Sequence, residues 1–356
     1  MSRFMLERYR EMQVYTPGEQ PQMQNLIKLN TNESPFPPSP GVIEAITPKE
    51  TEKLRLYSDP TAAQLVNAIA KVHGLDSRQV FVGNGSDEVL AFAFLAFGHR
   101  GVAFPDITYG FYPVWADLFG LNARVIPLKE DFTVDLPAMR DSECGMLVLA
   151  NPNAPTGIAL SPAEIETLLK ADPDRLVLVD EAYIAFGAKS ALPLLNAYDN
   201  LLIVRTFSKS HSLAGARIGY ALSGTAITED LNRIKFSFHP YNLNRLSILA
   251  GEAAILDTEY YDRCAEAIVA NRESLTEQLR GMGFTVLDSS ANFIFASPPV
   301  MNCKAFVDAL RERSIVVRWF GLDRIRDYTR ITIGTREQTA ALVRAAREIL
   351  GKEGIL

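Results

Sequence analysis

The segment RTFSKSHSLAGARIG brings together hydroxyls, an amine and a guanidinium directly after the apolar run LLIVRT. The amine belongs to Lys209, with Ser208 before it and Arg217 eight positions after it. At the rim of a buried sheet, desolvation and a neighbouring cation would disfavour the ammonium and leave the amine available as a nucleophile. Schiff-base formation with a carbonyl compound requires such an amine. Taken alone, the segment also fits a solvated loop lysine beside a surface arginine.

The segment RLVLVDEAYIAF ends an apolar run in a carboxylate. Asp180 closes the run, and Tyr183 follows three positions later. A buried carboxylate is costly unless it is paired. The protonated nitrogen of a pyridine ring would be such a partner, and the pairing would make the ring an electron sink. Tyr183 could then donate to a phenolic oxygen of the same ring, although an isolated aspartate here could simply cap a helix.

The segment VGNGSDEVL predicts an anion site at the start of a helix. A strand ends in a glycine turn, and Ser86 and Asp87 open an apolar helix whose free backbone N–H groups could bind a phosphate. The third glycine of a dinucleotide fingerprint and the Gly-Lys-Ser/Thr of a nucleotide-binding loop are both missing. An ordinary capped helix is the alternative.

Two further segments could contact a planar ring. Tyr109 in ITYGFYPVW follows the run GVAFP, where its ring could stack on a cofactor, or could belong to the core. The prolines and glycine of NPNAPTG fix a rigid turn after MLVLA, which could aim a side-chain amide at the same ring or serve only as a turn.

The elements that would position these residues form an alternating pattern between residues 60 and 225. Helical patterns separate six short apolar or β-branched runs, which are QVFVG, GVAFP, RVIPL, MLVLA, RLVLVD and NLLIVRT. Continuous apolar runs indicate strands buried on both faces of a largely parallel sheet covered by helices. Ligands of such sheets bind at the carboxyl ends of the strands, where the residues above are located.

The remainder of the chain predicts a second, smaller unit. A proline-free helical pattern from Leu243 to Arg280 precedes GFTVLDSS, ANFIFAS, an amphipathic segment over 303–313, SIVVRWF, YTRITIG and a final helix. The first forty residues, rich in Pro and Asn, resemble an ordered arm or linker more than a core element. We therefore expect an arm over 1–40, a large domain over 41–252 and a small α+β domain over 253–356.

Composition narrows the function classes. The formal net charge of -6 and the lack of a sustained basic run argue against a nucleic-acid partner. A charged N-terminal sequence and a longest apolar run of only Val89–Phe97 predict a cytoplasmic protein without a membrane role. The three cysteines and four histidines are too scattered to indicate a disulfide framework or a metal site.

In chain order, GNGSDE, TYGFY, NPNAPTG, DEAYIAF and SKSHSLAGARIG resemble the aspartate aminotransferase superfamily of pyridoxal-phosphate enzymes. From LNTNESP through LYSDPTA to TRITIGTREQ, the likeness is to its histidinol-phosphate aminotransferase family. The resemblance implies the α/β fold type I, with a mostly parallel seven-stranded sheet covered by helices and a smaller α+β domain at the C-terminal end.

The resemblance also implies roles for individual residues. Lys209 would form the Schiff base with pyridoxal phosphate, Asp180 would pair with the pyridine nitrogen, Tyr183 would contact the phenolic oxygen, and Tyr109 would stack on the ring. The phosphate would be held by Ser86, Asp87, Ser208, Arg217 and, from a neighbouring subunit of a homodimer, Tyr57. The sequence departs from the family at Ala154, where most relatives have an asparagine, so either Asn153 takes over its contact with the ring or that contact is missing.

The implied reaction is transamination of histidinol phosphate with 2-oxoglutarate. Arg330 in TRITIG would bind the carboxylate of the amino acid, and Arg318 and Tyr15 would bind the substrate phosphate or help close the site. An aromatic amino-acid aminotransferase and a lyase resembling threonine-phosphate decarboxylase are the alternatives. A domain that binds the cofactor without turnover ranks last.

Overall fold

The computed structural model describes residues 2–12 and 14–352, which form two sheets flanked by helices. The strands of this part of the chain are β1 (Ile27–Leu29), β2 (Val80–Gly83), β3 (Val102–Pro105), β4 (Ala123–Ile126), β5 (Met146–Ala150), β6 (Leu176–Asp180), β7 (Leu201–Thr206), β8 (Gly219–Ser223), β9 (Thr285–Val286), β10 (Phe293–Ser297), β11 (Ile315–Trp319) and β12 (Thr329–Thr332). The helices are α1 (Pro40–Ala45), α2 (Pro48–Glu52), α3 (Ala63–His73), α4 (Ser86–Phe97), α5 (Tyr112–Phe119), α6 (Leu136–Arg140), α7 (Pro162–Ala171), α8 (Thr225–Phe238), α9 (Arg245–Leu256), α10 (Thr258–Gly281), α11 (Cys303–Arg311) and α12 (Arg336–Lys352).

The larger sheet has seven strands in the order β2-β8-β7-β6-β5-β3-β4. Its neighbouring strands are parallel except at β8, which is antiparallel to both β2 and β7. The six apolar runs of the sequence are all strands of this sheet, which confirms the predicted largely parallel sheet. The run GYALS was not predicted as a strand, and it forms β8.

Alternate residues of the central strands face two different cores. On β6, Val177 and Val179 pack into one apolar cluster, whereas Leu178 packs into the cluster on the opposite face. Both faces are covered by helices, which explains why these strands are apolar throughout. The parallel strands β5, β6 and β7 therefore end at one common edge of the sheet.

The smaller sheet has five strands in the order β1-β11-β12-β10-β9. Strand β1 comes from the segment expected to be an arm, pairs in parallel with β11 and buries Leu29 in that sheet's core. The expectation of an arm outside the core is therefore wrong for residues 27–29. The run IKL is too short to show a periodicity, and its partner strand lies almost 300 residues further along the chain.

The helical pattern between Leu243 and Arg280 forms two helices rather than one. Helix α9 ends at Leu256 and α10 begins at Thr258, with Asp257 at φ -91° and ψ 56° between them. Asp257 is outside the helical region of backbone angles, so the break does not require a proline. In the described part of the chain, no helix has both the length and the apolar character needed to cross a membrane.

Candidate active site

A cavity of about 470 Å³ lies at the carboxyl ends of β5, β6 and β7 and is lined on its other side by residues of the smaller sheet. Eleven of the residues singled out in the sequence line it. They are Tyr15, Ser86, Asp87, Tyr109, Asp180, Tyr183, Ser208, Lys209, Arg217, Arg318 and Arg330.

The amine in this cavity is that of Lys209, which follows the end of β7. Its Nζ donates to the carbonyl oxygen of Thr31 at 3.1 Å and lies 5.8 Å from the ring centroid of Tyr183. Burial and, to a smaller extent, the nearby charge of Arg330 lower the pKa of Lys209 to about 8, against the opposing effect of Glu33. Much more of this amine than of an ordinary lysine is therefore unprotonated near neutral pH, as a nucleophile requires.

The carboxyl group in the cavity is that of Asp180, the last residue of β6. It accepts hydrogen bonds from the Tyr112 hydroxyl at 2.9 Å and from the Ala182 backbone N–H at 3.2 Å. Burial nevertheless raises the pKa of Asp180 to about 7, because these bonds only partly offset the loss of hydration. A cationic ring nitrogen beside Asp180 would restore its ionised form.

An anion cradle lies where β2 ends and α4 begins. Ser86 opens α4, so the first N–H groups of this helix have no partner within the helix. Gly85 has φ +81°, and a Cβ there would come within 2.5 Å of Arg217 Nη2. A Cβ on Gly219 would lie 2.2 Å from the Ser86 nitrogen. The two glycines thus keep open the space in which the guanidinium and the helix N-terminus meet.

Asp87 orients two other side chains of the cavity. Its carboxylate accepts from Arg217 Nη2 at 2.9 Å and from the Tyr109 hydroxyl at 2.8 Å. Burial raises the pKa of Tyr109, and the charge of Asp87 raises it further, so Tyr109 remains a neutral donor. The Asp87 side chain therefore holds other groups in place, while its backbone N–H belongs to the helix terminus.

The smaller sheet contributes two guanidiniums. Arg330 on β12 is partly buried, which lowers its pKa, and its Nη2 donates to the carbonyl oxygen of Asn30 at 3.0 Å. Its Nε is buried and has no hydrogen-bond partner among the described residues. Arg318 on β11 donates to the carbonyl oxygens of Thr16 and Pro17 at 3.2 and 3.4 Å. Two cations at one end of the cavity suit a ligand that carries carboxylate or phosphate groups.

Tyr15 reaches the same end of the cavity from the N-terminal segment. Its ring stacks on that of Phe111 at 4.1 Å and lies 6.2 Å from that of Tyr109. Burial raises the pKa of Tyr15, although the nearby Arg330 and Arg318 oppose the shift. Tyr15 is therefore a neutral hydroxyl beside the two guanidiniums.

Two residues singled out in the sequence lie outside the cavity lining. Tyr57 is 81% exposed, and its ring stacks on that of Tyr241 at 4.6 Å. Asn153 is buried and donates from Nδ2 to the Ile107 carbonyl oxygen at 3.0 Å and to Thr156 Oγ1 at 3.1 Å. Ala154 lines the cavity in its place, so the geometry favours the loss of the asparagine contact over its replacement by Asn153.

The sequence did not reveal the roles of Tyr112 and Asn32. Tyr112 donates to Asp180, and Asn32 donates from Nδ2 to the Tyr183 hydroxyl at 2.9 Å. Their partners lie 68 and 151 positions away, so no local spacing connects them. The asparagine-rich segment LNTNESP was the one available signal for Asn32.

These groups together fit pyridoxal phosphate. The cavity offers a buried amine for an aldehyde, a buried acid for a ring nitrogen and an N-terminal helix turn with Arg217 for a phosphate. A simple metal site is not indicated, since the described residues contain no group of three or more His, Cys, Asp or Glu side chains that could hold a metal ion.

The chain is similar to known proteins over nearly its whole length. A histidinol-phosphate aminotransferase 2 from Dechloromonas aromatica is 49% identical over 356 residues, which cover 99% of this chain and 100% of the relative. A histidinol-phosphate aminotransferase from Gluconacetobacter diazotrophicus is 50% identical over 98% of this chain and 99% of its own.

The fold is also that of solved aminotransferase structures, which confirms the fold class expected from the sequence. The crystal structure of histidinol-phosphate aminotransferase from Sinorhizobium meliloti in complex with pyridoxal-5'-phosphate has a TM-score of 0.82 and 25% identity, and the match covers 92% of this chain and 91% of that one. The family model of aminotransferase class I and II matches residues 24–345. The chain therefore belongs to the aminotransferase class I and II family.

Proposed function

We propose that the chain is a pyridoxal-phosphate-dependent transaminase that converts histidinol phosphate and 2-oxoglutarate to imidazole-acetol phosphate and glutamate, a step of histidine biosynthesis. The observation that carries the proposal is the presence of Lys209 and Asp180 in one cavity, the first partly buried and the second almost fully buried, each with a pKa moved toward neutrality. The names of relatives 49% and 50% identical to the chain support the choice of substrate.

Bound pyridoxal phosphate would supply an aldehyde that links to amines and a ring that withdraws electrons from the attached carbon. We assign Lys209 to the aldehyde, Asp180 to the protonated ring nitrogen and Tyr183 to the phenolic oxygen. Tyr109 would lie against the ring. Ser86, Ser208 and Arg217 would hold the phosphate, and Asp87 would keep Arg217 and Tyr109 in place through its two hydrogen bonds.

Lys209 would also move the proton in the reaction. Its Nζ, unprotonated in a substantial fraction near pH 8, accepts the proton that leaves the substrate α-carbon and later donates a proton back. A cation beside Asp180 would lower its raised pKa and keep it ionised, so Asp180 would stabilise the charged ring nitrogen in each half of the reaction. Because the two substrates share one site in turn, initial-rate plots should give parallel lines.

The two guanidiniums can serve both substrates. Arg330 lines the cavity and has a buried Nε without a hydrogen-bond partner among the described residues, and we assign it to the carboxylate of 2-oxoglutarate or glutamate. Arg318, with Tyr15 beside it, is assigned to the phosphate of histidinol phosphate.

We also propose a homodimer in which Tyr57 of each subunit completes the phosphate site of the other. Tyr57 is 81% exposed and does not line its own cavity. Its neighbours Leu54 and Leu56 are also about half exposed, and such an apolar cluster favours contact with another protein surface.

The proposal is tested with the purified protein loaded with pyridoxal phosphate. We expect turnover of histidinol phosphate with 2-oxoglutarate, and a loss of at least about a thousandfold in kcat for Lys209→Ala. Lys71→Ala, which removes an exposed lysine of α3, is the matched control and should retain wild-type turnover.

Three results would redirect the assignment. Undiminished turnover by Lys209→Ala would refute the proposed chemistry. Faster turnover of phenylalanine than of histidinol phosphate would identify an aromatic amino-acid aminotransferase. Release of carbon dioxide from threonine phosphate without any oxo acid would identify a decarboxylase.

A further inference from the structure

Asn32 is a buried residue whose side chain and backbone connect three parts of the molecule. Its Nδ2 donates to the Tyr183 hydroxyl at 2.9 Å, and its backbone N–H donates to Thr332 Oγ1 at 2.9 Å. The Thr332 hydroxyl donates back to Asn32 Oδ1 at 3.0 Å, and Asn292 Nδ2 donates to the Asn32 carbonyl oxygen at 3.0 Å. Asn32 is only 1% exposed, and these bonds use its amide and both of its backbone polar groups.

Thr332 favours one orientation of the Asn32 amide. The threonine oxygen accepts the backbone N–H of Asn32, so the threonine proton is free for the amide oxygen. The amide oxygen is thereby held toward Thr332, and the NH₂ group is held toward Tyr183. Rotating the amide by 180° would leave the Thr332 proton without this acceptor and would turn the Tyr183 proton toward Asn32.

This arrangement also sets the direction of the proton on Tyr183. Because the Tyr183 oxygen accepts from Asn32, its own proton is left to donate to another acceptor, and Tyr183 lines the cavity. Burial raises the pKa of Tyr183, although Arg330 and the bond from Asn32 oppose the rise. Lys209, above the Tyr183 ring, and the carboxylates of Asp180 and Asp87 are the other charged groups facing it.

The backbone of Asn32 is held in a conformation that few residue types adopt readily. Its φ is +55°, in the left-handed region that glycine, asparagine and aspartate tolerate best. The position therefore constrains the residue twice, by its backbone angle and by the need for an amide that can accept on one side and donate on the other.

We propose that Asn32 is a positioning residue that aims the Tyr183 proton at the phenolic oxygen of bound pyridoxal phosphate and so makes up for the alanine at position 154. Ala154 lines the cavity without a polar side chain, which leaves Tyr183 as the neutral donor at this place. Thr332 lies two residues after Arg330 on β12, so the same contact joins the carboxylate-binding strand to this donor. The inference rests on the function proposed above.

The test measures the pH at which the visible absorbance band of bound pyridoxal phosphate changes. When the lysine-linked nitrogen loses its proton, the phenolic oxygen keeps a full negative charge, which a hydrogen bond from Tyr183 stabilises. Loss of this bond should therefore raise the midpoint. We expect Asn32→Gly, which suits φ +55°, to raise it by about one pH unit, the worth of one charge-assisted hydrogen bond.

The route through Tyr183 is tested by combining variants. Tyr183→Phe should raise the midpoint to a similar value, and adding Asn32→Gly to it should cause no further change. Thr332→Val, which keeps Asn32 but releases its amide oxygen, should move the midpoint in the same direction by a smaller amount. Asn30→Ala is the matched control, because Asn30 is equally buried in the same segment but bonds to the Glu19 carbonyl oxygen, and it should leave the midpoint unchanged.

A wild-type midpoint in both Asn32→Gly and Thr332→Val would overturn the inference, as would an undiminished shift from Asn32→Gly in the Tyr183→Phe background. Both outcomes differ from a failure of the proposed function, in which the wild-type protein would show no visible band with pyridoxal phosphate. Thermal unfolding of the cofactor-free variants separates a loss of fold from a change in the titration.

Discussion

At the scale of single residues, the site contains ionisable side chains whose burial disfavours their charged forms and so reduces the stability of the folded protein. Asp180 is 5% exposed, and its pKa is raised to about 7 from an ordinary value of 3.8. Lys209 is affected in the opposite sense, with a pKa lowered to about 8. Both shifts disfavour the charged form, which is typical of active sites that bind a charged partner.

We predict that Asp180 makes the cofactor-free protein less stable as the pH rises. Between pH 4 and 7 the folded state binds a proton at Asp180 that the unfolded state has released, so the free energy of unfolding falls across this range. The total contribution is on the order of 4 kcal/mol. Asp180→Asn should remove this part of the slope, as measured by urea unfolding at several pH values.

The same variant should behave differently with the cofactor bound. Pyridoxal phosphate should stabilise the wild type more than Asp180→Asn, because the asparagine cannot pair with a cationic ring nitrogen. If the free energy of unfolding of cofactor-free wild type and cofactor-free Asp180→Asn depended on pH in the same way, burial would not raise the pKa of Asp180 as proposed.

Residue types and spacing predicted the reactive side chains that line the cavity but not the residues that hold those side chains in place. Asp180 and Lys209 could be found because they lie at or just after the end of an apolar run, at the edge where ligands of parallel sheets bind. Arg217 could be found because it follows Lys209 in the same segment. Asn32 and Tyr112 could not be found in this way, because they act on residues 151 and 68 positions distant.

At the scale of elements, a buried ion pair fixes the ends of β6 and β7 beneath the site. The Glu181 carboxylate is fully buried and accepts from Arg205 at 2.8 Å and from Ser190 Oγ at 2.9 Å. Glu181 follows Asp180 directly, so the pair lies on the other side of the backbone from the cavity. Its charges are satisfied by one another and not by solvent.

We predict that Glu181→Ala lowers the free energy of unfolding by about 3–5 kcal/mol, because it leaves the Arg205 guanidinium buried without its partner. Glu259→Ala, which breaks the exposed pair with Arg263, is the control and should cost less than about 0.5 kcal/mol. Denaturant unfolding measures both. Equal costs for the two variants would mean that the buried pair contributes no more than an exposed one.

The central strands were predictable because both of their faces are covered. The runs that form β5, β6 and β7 are apolar throughout because each face meets a helix-lined core. Strand β1 was missed because it is three residues long. Strand β8 was missed because it directly follows the segment SKSHSLAGARIG, which was interpreted only for its reactive side chains. The domain boundaries near residues 40 and 252 stay a prediction.

At the scale of the whole molecule, the proposed dimer makes each active site depend on two chains. Tyr57 is the residue assigned to the partner's site, and Lys209 belongs to the chain's own site. In a twofold-symmetric dimer of this kind, each subunit contributes the same residue to the active site of the other.

We predict that two inactive variants restore activity when they share a dimer. Lys209→Ala and Tyr57→Ala are each expected to turn over poorly, yet a mixed dimer has one site with both Lys209 and Tyr57. Random mixing of equal amounts should restore about a quarter of the wild-type sites. The chains are unfolded and refolded together, and turnover is compared with that of the separately refolded variants.

A sedimentation experiment provides the control, with an expected mass of twice the 39.4 kDa of the chain. Monomers in solution, or no gain on mixing, would show that each site is complete within one chain.

The pairing of β1 with β11 has a consequence for how the protein is made. Ile27 must align with Ile315, so a segment translated early waits for one that leaves the ribosome near the end of synthesis. The seven-stranded sheet, complete by residue 223, can form during translation. The smaller sheet cannot, and until it closes, Arg330 has not met the residues around Lys209. The nascent chain should therefore be unable to bind the proposed substrates until its last strands have been released.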